Sequence, residues 1–181
     1  MTTSPTSLQM MLNQGFEQLQ AGLFESAVDA FTACLRVYSD DAKAHLGRAI
    51  ARFQIKEWKT AEQDFRRAAE LAPQDPESFV GLGMCLAMQN HIYPALEILE
   101  KHPVDFPDFI RGYIQLGMIQ IKIGAISKGR EYLKQALQHR PTLGERKFIE
   151  STLKEQEHLD EKRYYRPDFE ALRKANNKGK Q

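Results

Sequence analysis

One spacing dominates this sequence of 181 residues, because similar side chains recur every 34 positions from about residue 8 to residue 143. A fixed period of this length is typical of repeat architectures, in which each unit is a small supersecondary element that cannot bury its apolar face alone. Neighbouring units must stack to bury that face. We therefore expect four stacked units in place of a single globular core.

The most regular column of the repeat contains only small residues. Its members are Gly15, Ala49, Gly83 and Gly117. A small side chain lets two helices approach closely, whereas a side chain larger than Ala would push them apart. The column therefore predicts the point at which the first helix of each unit passes close to its neighbour.

Two further columns, four residues apart, describe the second helix of each unit. The earlier column is again small, and its members are Ala27, Ala61, Ala95 and Gly129. The later column is large and apolar, and its members are Phe31, Phe65, Leu99 and Leu133. Because residues four apart lie on one helix face, this pair of columns predicts a gap beside a protruding apolar side chain.

Residues that end or begin helices also keep the register. The position that precedes the second helix holds Gly22, Asn90 and Gly124, with Lys56 as the exception. Gly and Asn tolerate the left-handed conformation that ends many helices. Bulky apolar residues then open the second helix at Phe24, Trp58, Ile92 and Ile126. Proline, which cannot continue a helix, marks its end at Pro73, Pro107 and Pro141.

These columns resemble the tetratricopeptide repeat, whose signature is W-x2-L-G-x2-Y, then A-x3-F, then P. The third unit carries Phe79, Leu82, Gly83, Leu86, Ala95, Leu99 and Pro107. The fourth carries Tyr113, Leu116, Gly117, Gly129, Leu133 and Pro141. The second carries Ala61, Phe65, Ala68 and Pro73, with Arg48 where the family usually has Leu, and the first keeps Gly15, Ala27 and Phe31. The resemblance implies an all-α fold, a right-handed α-α superhelix or solenoid of about four hairpins.

The register also divides the chain into segments. We expect a disordered N-terminus at 1–7, four repeats at 8–41, 42–75, 76–109 and 110–143, a capping helix at 144–164, and a basic flexible tail at 165–181. The capping helix is predicted from a one-sided stripe of Phe148, Ile149, Thr152, Leu153, Gln156 and Leu159. Such a helix would cover the apolar face that the last repeat leaves open.

The third unit departs from the pattern near its end, where His102 stands at a position that the family fills with Ala. Its second helix is expected to start near Pro94, a residue favoured in a first helical turn, and to stop by His102. Pro103 to Phe109 would then form an irregular connector.

Composition excludes several classes of partner. Lys plus Arg number 25 and Asp plus Glu number 24, so no chain-wide field favours nucleic acid. The sequence contains neither a secretion signal nor a window of about 18 apolar residues, so we expect no membrane insertion and a cytoplasmic protein. Cys34 and Cys85 are far apart and are interpreted as small buried side chains.

No set of residues matches a known catalytic or metal-binding pattern. Gly81 and Gly83 form a GxG inside a predicted helix, where no phosphate loop forms. The five histidines include no HExxH motif. Glu57, Glu62 and Asp64 are interpreted as part of a solvated helix face. We therefore expect no cofactor, no metal and no enzymatic activity.

In the family that the chain resembles, the first helices line a concave face. The resemblance implies a peptide-binding groove there, with a largely apolar wall and interleaved polar groups such as Gln54. The implied groove residues are Leu12, Asn13, Phe16, Leu46, Ile50, Phe53, Val80, Met84, Met88, Arg111, Ile114, Gln115 and Met118. The alternative is that many of these residues pack between helices or are covered by the termini of the chain itself.

The leading hypothesis is therefore a non-catalytic protein–protein interaction module, an adaptor or scaffold that holds a peptide or helix of a partner protein. The alternative is a dedicated chaperone for a hydrophobic client, such as a secretion-system chaperone. One subclass of the family binds acidic chaperone tails through Lys, Asn and Arg at fixed places. Here Leu12, Phe16, Gly47 and Gly81 occupy those places, so an apolar ligand is favoured over a carboxylate.

Overall fold

The structure is a computed structural model that describes residues 5–101 and 109–164. These residues form helices joined by short turns, and no strand occurs among them. The helices are α1 Pro5–Gln20, α2 Phe24–Val37, α3 Ala42–Gln54, α4 Trp58–Leu71, α5 Pro76–Met88, α6 Ile92–Lys101, α7 Ile110–Lys122, α8 Ile126–Gln138 and α9 Leu143–Tyr164.

The chain divides into two compact units, Met1–His139 and Arg140–Gln181. In the first unit, the helices pair as four hairpins, α1 with α2, α3 with α4, α5 with α6 and α7 with α8. Each hairpin packs on the next, and the first helices also contact one another along the stack. One hairpin falls in each predicted repeat.

The turn inside each hairpin has the same geometry four times. Gly22, Lys56, Asn90 and Gly124 all have a positive φ, between 64° and 87°. After each, the next N–H donates to a carbonyl five residues back, as Glu57 N does to Arg52 O at 2.9 Å. This is the Schellman arrangement that ends a helix. Lys56 adopts it although left-handed backbone costs a non-glycine residue about 1 kcal/mol, so the turn overrides the residue's preference.

The predicted close approach of helices is confirmed by the glycines on the first helices. A Cβ built on Gly15 would lie 2.6 Å from the ring of Phe31, and one built on Gly83 would lie 2.6 Å from Leu99 Cγ. Real Cβ atoms essentially never approach other atoms so closely. The small column and the large apolar column therefore meet face to face.

A second set of glycines, for which the sequence analysis predicted no packing role, connects one hairpin to the next. A Cβ on Gly47 would lie 2.3 Å from the Phe31 ring of the preceding hairpin, and a Cβ on Gly81 would lie 2.1 Å from the Phe65 ring. One repeat later, Leu99 takes the place of the phenylalanine and Gln115 takes the place of the glycine. Where the glycine is replaced by a larger residue, the side chain that packs against it is therefore smaller.

Asp64 is not part of a solvated helix face, contrary to the interpretation from sequence. Its side chain is 5% exposed and accepts hydrogen bonds from Arg48 Nε at 2.8 Å and Nη2 at 2.7 Å, and from Arg52 Nη1 at 2.7 Å. His45 Nδ1 lies 3.2 Å from Asp64 Oδ1. A buried carboxylate needs such partners, which explains why Arg48 replaces the family's Leu.

This charged cluster lies where the hydrophobic core of the first unit divides in two. One cluster of buried side chains includes Leu12, Phe31 and Ala51, and the other runs from Ala49 to Ile119. Helix α3 contributes to both clusters. It also carries the basic side chains that bind Asp64.

One predicted segment boundary is wrong by a few residues, whereas α6 starts close to Pro94, at the Ile92 that the bulky column predicts. Helix α6 begins at Ile92, so Pro94 lies inside the first turn, where its missing N–H costs no hydrogen bond. Helix α1 begins at Pro5, so residues 5–7 of the segment predicted to be disordered are helical. Proline suits that first position for the same reason. Residues 102–108, most of the predicted connector, lie outside the described residues, as do residues 1–4.

The second unit contains α9, which matches the bounds predicted for a capping helix within a residue. Its start is fixed by a capping box that the sequence reasoning missed: Thr142 N and Oγ1 donate to Glu145 Oε2 at 2.8 and 2.7 Å. Phe148 and Leu159, two members of the predicted apolar stripe, are exposed. The role of α9 as a cap stays a prediction. The predicted tail at 165–181 lies outside the described residues.

The contact between Gly47 and Phe31 gives a first test of the stacking. Gly47→Ala should lower the free energy of unfolding by about 1–2 kcal/mol, because overpacking outweighs the better helix propensity of Ala. Phe31→Leu makes room, so the double variant should lose less stability than the sum of the single variants. Urea unfolding of all four proteins measures this coupling. Strictly additive losses would contradict the contact.

The Asp64 cluster gives a second test. Asp64→Ala leaves the partly buried Arg48 and Arg52 without their carboxylate, and we expect a loss of about 3 kcal/mol or more in the free energy of unfolding. Glu70→Ala is the control, because Glu70 pairs with Arg67 on the surface and such pairs contribute about 1 kcal/mol at most. Denaturant titrations compare the two variants. Equal, small losses would show that Asp64 does not stabilise the hairpin.

Candidate functional site

A pocket with a cavity volume of about 120 Å³ opens between the first helices of the second, third and fourth hairpins. Most of its wall is apolar, and its charged residues come from α5 and α7. Its lining residues are Leu46, Ile50, Phe53, Gln54, Phe65, Glu77, Val80, Gly81, Met84 and Arg111.

The spacing of these residues explains why they share one surface. On α3 they follow one another at intervals of three or four residues, from Leu46 through Ile50 to Phe53, and α5 repeats the pattern from Glu77 to Met84. Such intervals place side chains on one face of a helix. Among the described residues that line the pocket, Phe65 on α4 is the one that comes from a second helix. The first helices therefore supply nearly all of the pocket.

The floor of the pocket depends on a glycine. Gly81 has no side chain, and the space that a Cβ would fill is taken by the ring of Phe65. The ring consequently reaches the pocket from the helix behind it. Val80, which is buried, completes the floor. The missing side chain of Gly81 thus allows two hairpins to stack closely and lets the Phe65 ring line the pocket.

The side walls combine a rigid aromatic group with flexible ones. The rings of Phe53 and Trp58 lie 5.1 Å apart at a tilt of 57°, so packing holds Phe53 in place. Met84 faces the pocket as a half-buried side chain on α5. Methionine is unbranched and adapts to the shape of a neighbour. This wall can therefore adjust to different apolar groups.

The rim carries an ion pair between neighbouring repeats. Arg111 Nη1 on α7 donates to Glu77 Oε2 on α5 at 2.5 Å, and the two side chains are 61% and 41% exposed. Gln54 adds an exposed amide from α3. Polar groups thus surround the opening, while apolar groups form its interior.

The pocket brings together six of the groove residues implied by the family resemblance. They are Leu46, Ile50, Phe53, Val80, Met84 and Arg111. The sequence reasoning missed Phe65, Glu77 and Gly81. A signal for Glu77 was present, because it lies 34 residues before Arg111 in the same column.

The other implied groove residues lie outside this pocket. Leu12 and Ile114 are 3% and 7% exposed, so they pack in the core and offer almost no surface to a ligand. Phe16 packs edge-on against Phe31 at 5.1 Å. Leu12 and Ile114 are buried because a first helix is wedged between neighbours on two sides, so only part of its apolar face stays accessible. Phe16 is half-buried, and its place in the groove stays a prediction.

Four implied groove residues remain, and they lie on α1, α5 and α7. Asn13 is exposed on α1 and accepts a hydrogen bond from Gln9 at 2.7 Å, and Met88 is 53% exposed at the end of α5. Gln115 and Met118 are half-buried on α7.

Two thiols and one carboxylate outside the pocket have pKa values that are shifted by burial or by hydrogen bonds. Burial, with a smaller effect of the Glu62 charge, raises the pKa of the Cys85 thiol to about 12, and burial likewise raises the pKa of Cys34. Glu100 accepts hydrogen bonds from Lys128 and Tyr132 on α8, and the Lys128 bond is the main cause of its lowered pKa. The two buried thiols are therefore poorly ionised, and the Glu100 carboxylate links α6 to α8.

The described residues offer neither a metal-binding cluster nor a membrane-spanning helix. No group of three or more His, Cys, Asp or Glu side chains in that part of the chain could hold a metal ion. Among the helices described, none combines the length and the apolar character needed to cross a bilayer.

Comparison with known structures supports the same fold. MamA has 24% sequence identity, with a TM-score of 0.67 over 75% of this chain and 80% of that chain. The tetratricopeptide-repeat protein TTC0263 of Thermus thermophilus has 19% identity and a TM-score of 0.67 over 74% of each chain. The type III secretion translocator chaperone SycD of Yersinia enterocolitica has 21% identity and a TM-score of 0.60 over 66% of this chain and 96% of that chain.

Sequence comparison identifies the family directly. Models of the tetratricopeptide repeat match residues 12–76 and residues 110–142. A search of curated proteins gives no match. The predicted fold class, an all-α solenoid of helical hairpins, is confirmed by the helices and by the solved structures of the same fold. The chain belongs to the tetratricopeptide-repeat family.

Proposed function

We propose that this protein is a protein–protein interaction module that binds a segment of a partner in the groove lined by α3, α5 and α7. The observation that carries the proposal is the half-enclosed apolar pocket on the face formed by these helices. Stacked helical repeats characteristically present an extended concave surface for binding. The pocket supplies a defined place on that surface where a side chain can be buried.

The lining residues have the properties that such binding needs. Leu46, Ile50 and Met84 are half-buried, so part of their apolar surface is still in contact with water. Covering that surface is favourable by about 25 cal/mol per Å². The Gln54 amide can donate to and accept from the backbone of a bound segment. An apolar interior with polar groups at its rim is typical of pockets that hold and orient a ligand.

The role that we propose is that of a non-catalytic adaptor or scaffold. Among the described residues that line the pocket, Glu77 is the one carboxylate, and it is paired with Arg111. A general acid or base would need a side chain placed to exchange a proton with a substrate, and an ion-paired rim residue is better suited to orienting a partner. The free thiols Cys34 and Cys85 suit a reducing compartment, and we propose the cytoplasm.

A dedicated chaperone for a hydrophobic client is the second candidate. It is supported by the fold shared with SycD, whose name describes a translocator chaperone, and by the adaptable Met84 in the wall of the pocket. Co-expression separates the two roles. A chaperone raises the amount of soluble client, whereas an adaptor binds a partner that is soluble without it.

Charge substitutions in the pocket test the proposed groove. Ile50→Asp and Met84→Asp should each weaken the capture of partners by about tenfold or more, because a bound apolar group would have to desolvate the new carboxylate. Tyr93→Asp is the matched control, since Tyr93 is 81% exposed on α6, away from the pocket. Affinity purification with quantitative mass spectrometry compares the variants with the unmodified chain.

Circular dichroism and thermal melts establish that each variant is folded. Should Met84→Asp melt early, Met84→Ala takes its place, with an expected loss of severalfold in capture. If the pocket variants are folded and retain every partner at the level of the Tyr93→Asp control, the proposed groove is wrong.

A further inference from the structure

We propose that the segment bound in this groove places one apolar side chain in the pocket and a carboxylate next to it on Arg111. This inference rests on the proposed function and specifies the chemistry of the partner. The apolar side chain is called the anchor below. The partner is therefore a protein segment in which an aliphatic residue stands beside Asp or Glu.

The size of the pocket limits it to a single anchor. Its volume is about 120 Å³, and a cavity of about 150 Å³ is known to hold one benzene molecule. A leucine or methionine side chain is of that size, whereas two side chains are not. The residues on either side of the anchor must consequently lie across the rim, where Arg111, Glu77 and Gln54 meet them.

Arg111 is the charged hydrogen-bond donor at the rim. A guanidinium group has five N–H donors, and Arg111 uses Nη1 for Glu77 while 61% of its side chain is exposed. The Glu77 carboxylate is already engaged by Arg111. An incoming group that accepts hydrogen bonds in the plane of the guanidinium fits this arrangement, and a carboxylate does so with two oxygens.

The charges along the groove favour the same group. Lys43, Glu77 and Arg111 occupy one column of the repeat at intervals of 34 residues, so Glu77 lies between two cations on the neighbouring first helices. Lys43 is exposed and lies one turn before Leu46, which lines the pocket. The other nearby carboxylates, Asp41 and Asp75, accept hydrogen bonds from the first N–H groups of α3 and α5. The three side chains of this column carry a net charge of +1, which attracts an anionic group of a ligand.

Glu77 competes with the carboxylate of the ligand for Arg111. Removing the Glu77 charge should therefore strengthen binding, while removing the Arg111 charge should weaken it. A purely structural ion pair behaves differently, because either substitution would break the same link between α5 and α7 and would disturb the pocket in the same direction. The opposite signs distinguish the two roles.

The test uses a display library of random twelve-residue peptides, selected on the full chain. Enriched peptides are synthesised with a fluorophore, and their affinities are measured by anisotropy for the unmodified chain and for Arg111→Gln, Glu77→Gln and Met84→Asp. Arg36→Gln is the matched control, because it removes a positive charge from an exposed residue on α2.

We expect the enriched peptides to share an aliphatic residue with Asp or Glu beside it. Arg111→Gln should weaken their binding about tenfold, as expected for the loss of a charge-assisted contact. Glu77→Gln should tighten binding severalfold, and Arg36→Gln should leave it unchanged. Replacing the peptide's acidic residue by its amide should abolish the effect of Arg111→Gln.

Two outcomes would overturn the inference, and they differ in what they say about the groove. If binding is lost in Met84→Asp but the flanking residues are neutral or basic, or both rim variants weaken binding, the pocket is used without the carboxylate contact. If no peptide is enriched, or enriched peptides bind Met84→Asp normally, the proposed function fails together with the inference.

Discussion

The close packing of one hairpin on the next depends on the absence of a side chain at a few positions of the first helices. Phe31 and Phe65 protrude from second helices, and their rings occupy the space where Gly47 and Gly81 of the following hairpins would otherwise carry a Cβ. Glycine weakens an isolated helix by about 1 kcal/mol relative to alanine. The burial of an aromatic ring offsets that cost, since packing a Phe side chain contributes about 1.5–3 kcal/mol.

The same packing creates the candidate site. Because successive hairpins stack in register, α3, α5 and α7 lie side by side, and residues 34 positions apart become neighbours on one surface. Glu77 and Arg111, which occupy equivalent positions of successive repeats, form an ion pair for this reason. The pocket is thus assembled from three repeats, none of which contains it alone.

The sequence predicted the fold well because the information is repeated four times. Small and large columns meet as expected at Gly15, Gly83 and Gly117, and even Lys56, the exception in its column, adopts the conformation of the glycines. The candidate site was predicted less completely. Register shows which residues share a helix face, but it does not show how much of that face a neighbouring helix covers, and so Leu12 and Ile114 were placed in a groove although they are buried.

Polar contacts between helices were the hardest feature to foresee. Asp64 looks like any acidic residue on a polar helix face until α3 brings Arg48 and Arg52 against it. The signal was the unusual Arg48 at a position where the family has Leu, and a basic residue in a buried column demands a buried acidic partner. The packing role of Gly81 was likewise not predicted, because the ring that occupies its space belongs to Phe65, 16 residues earlier on another helix.

The division of the core at α3 has a consequence for how the stack opens. Apolar contacts are continuous within each of the two clusters, while a charged layer centred on Asp64 lies at their boundary. Proteins open locally in contiguous cooperative units. Helix α3 contributes to both clusters and also supplies Leu46, Ile50 and Phe53 to the pocket, so any opening at α3 exposes its amide protons and disrupts the pocket at the same time.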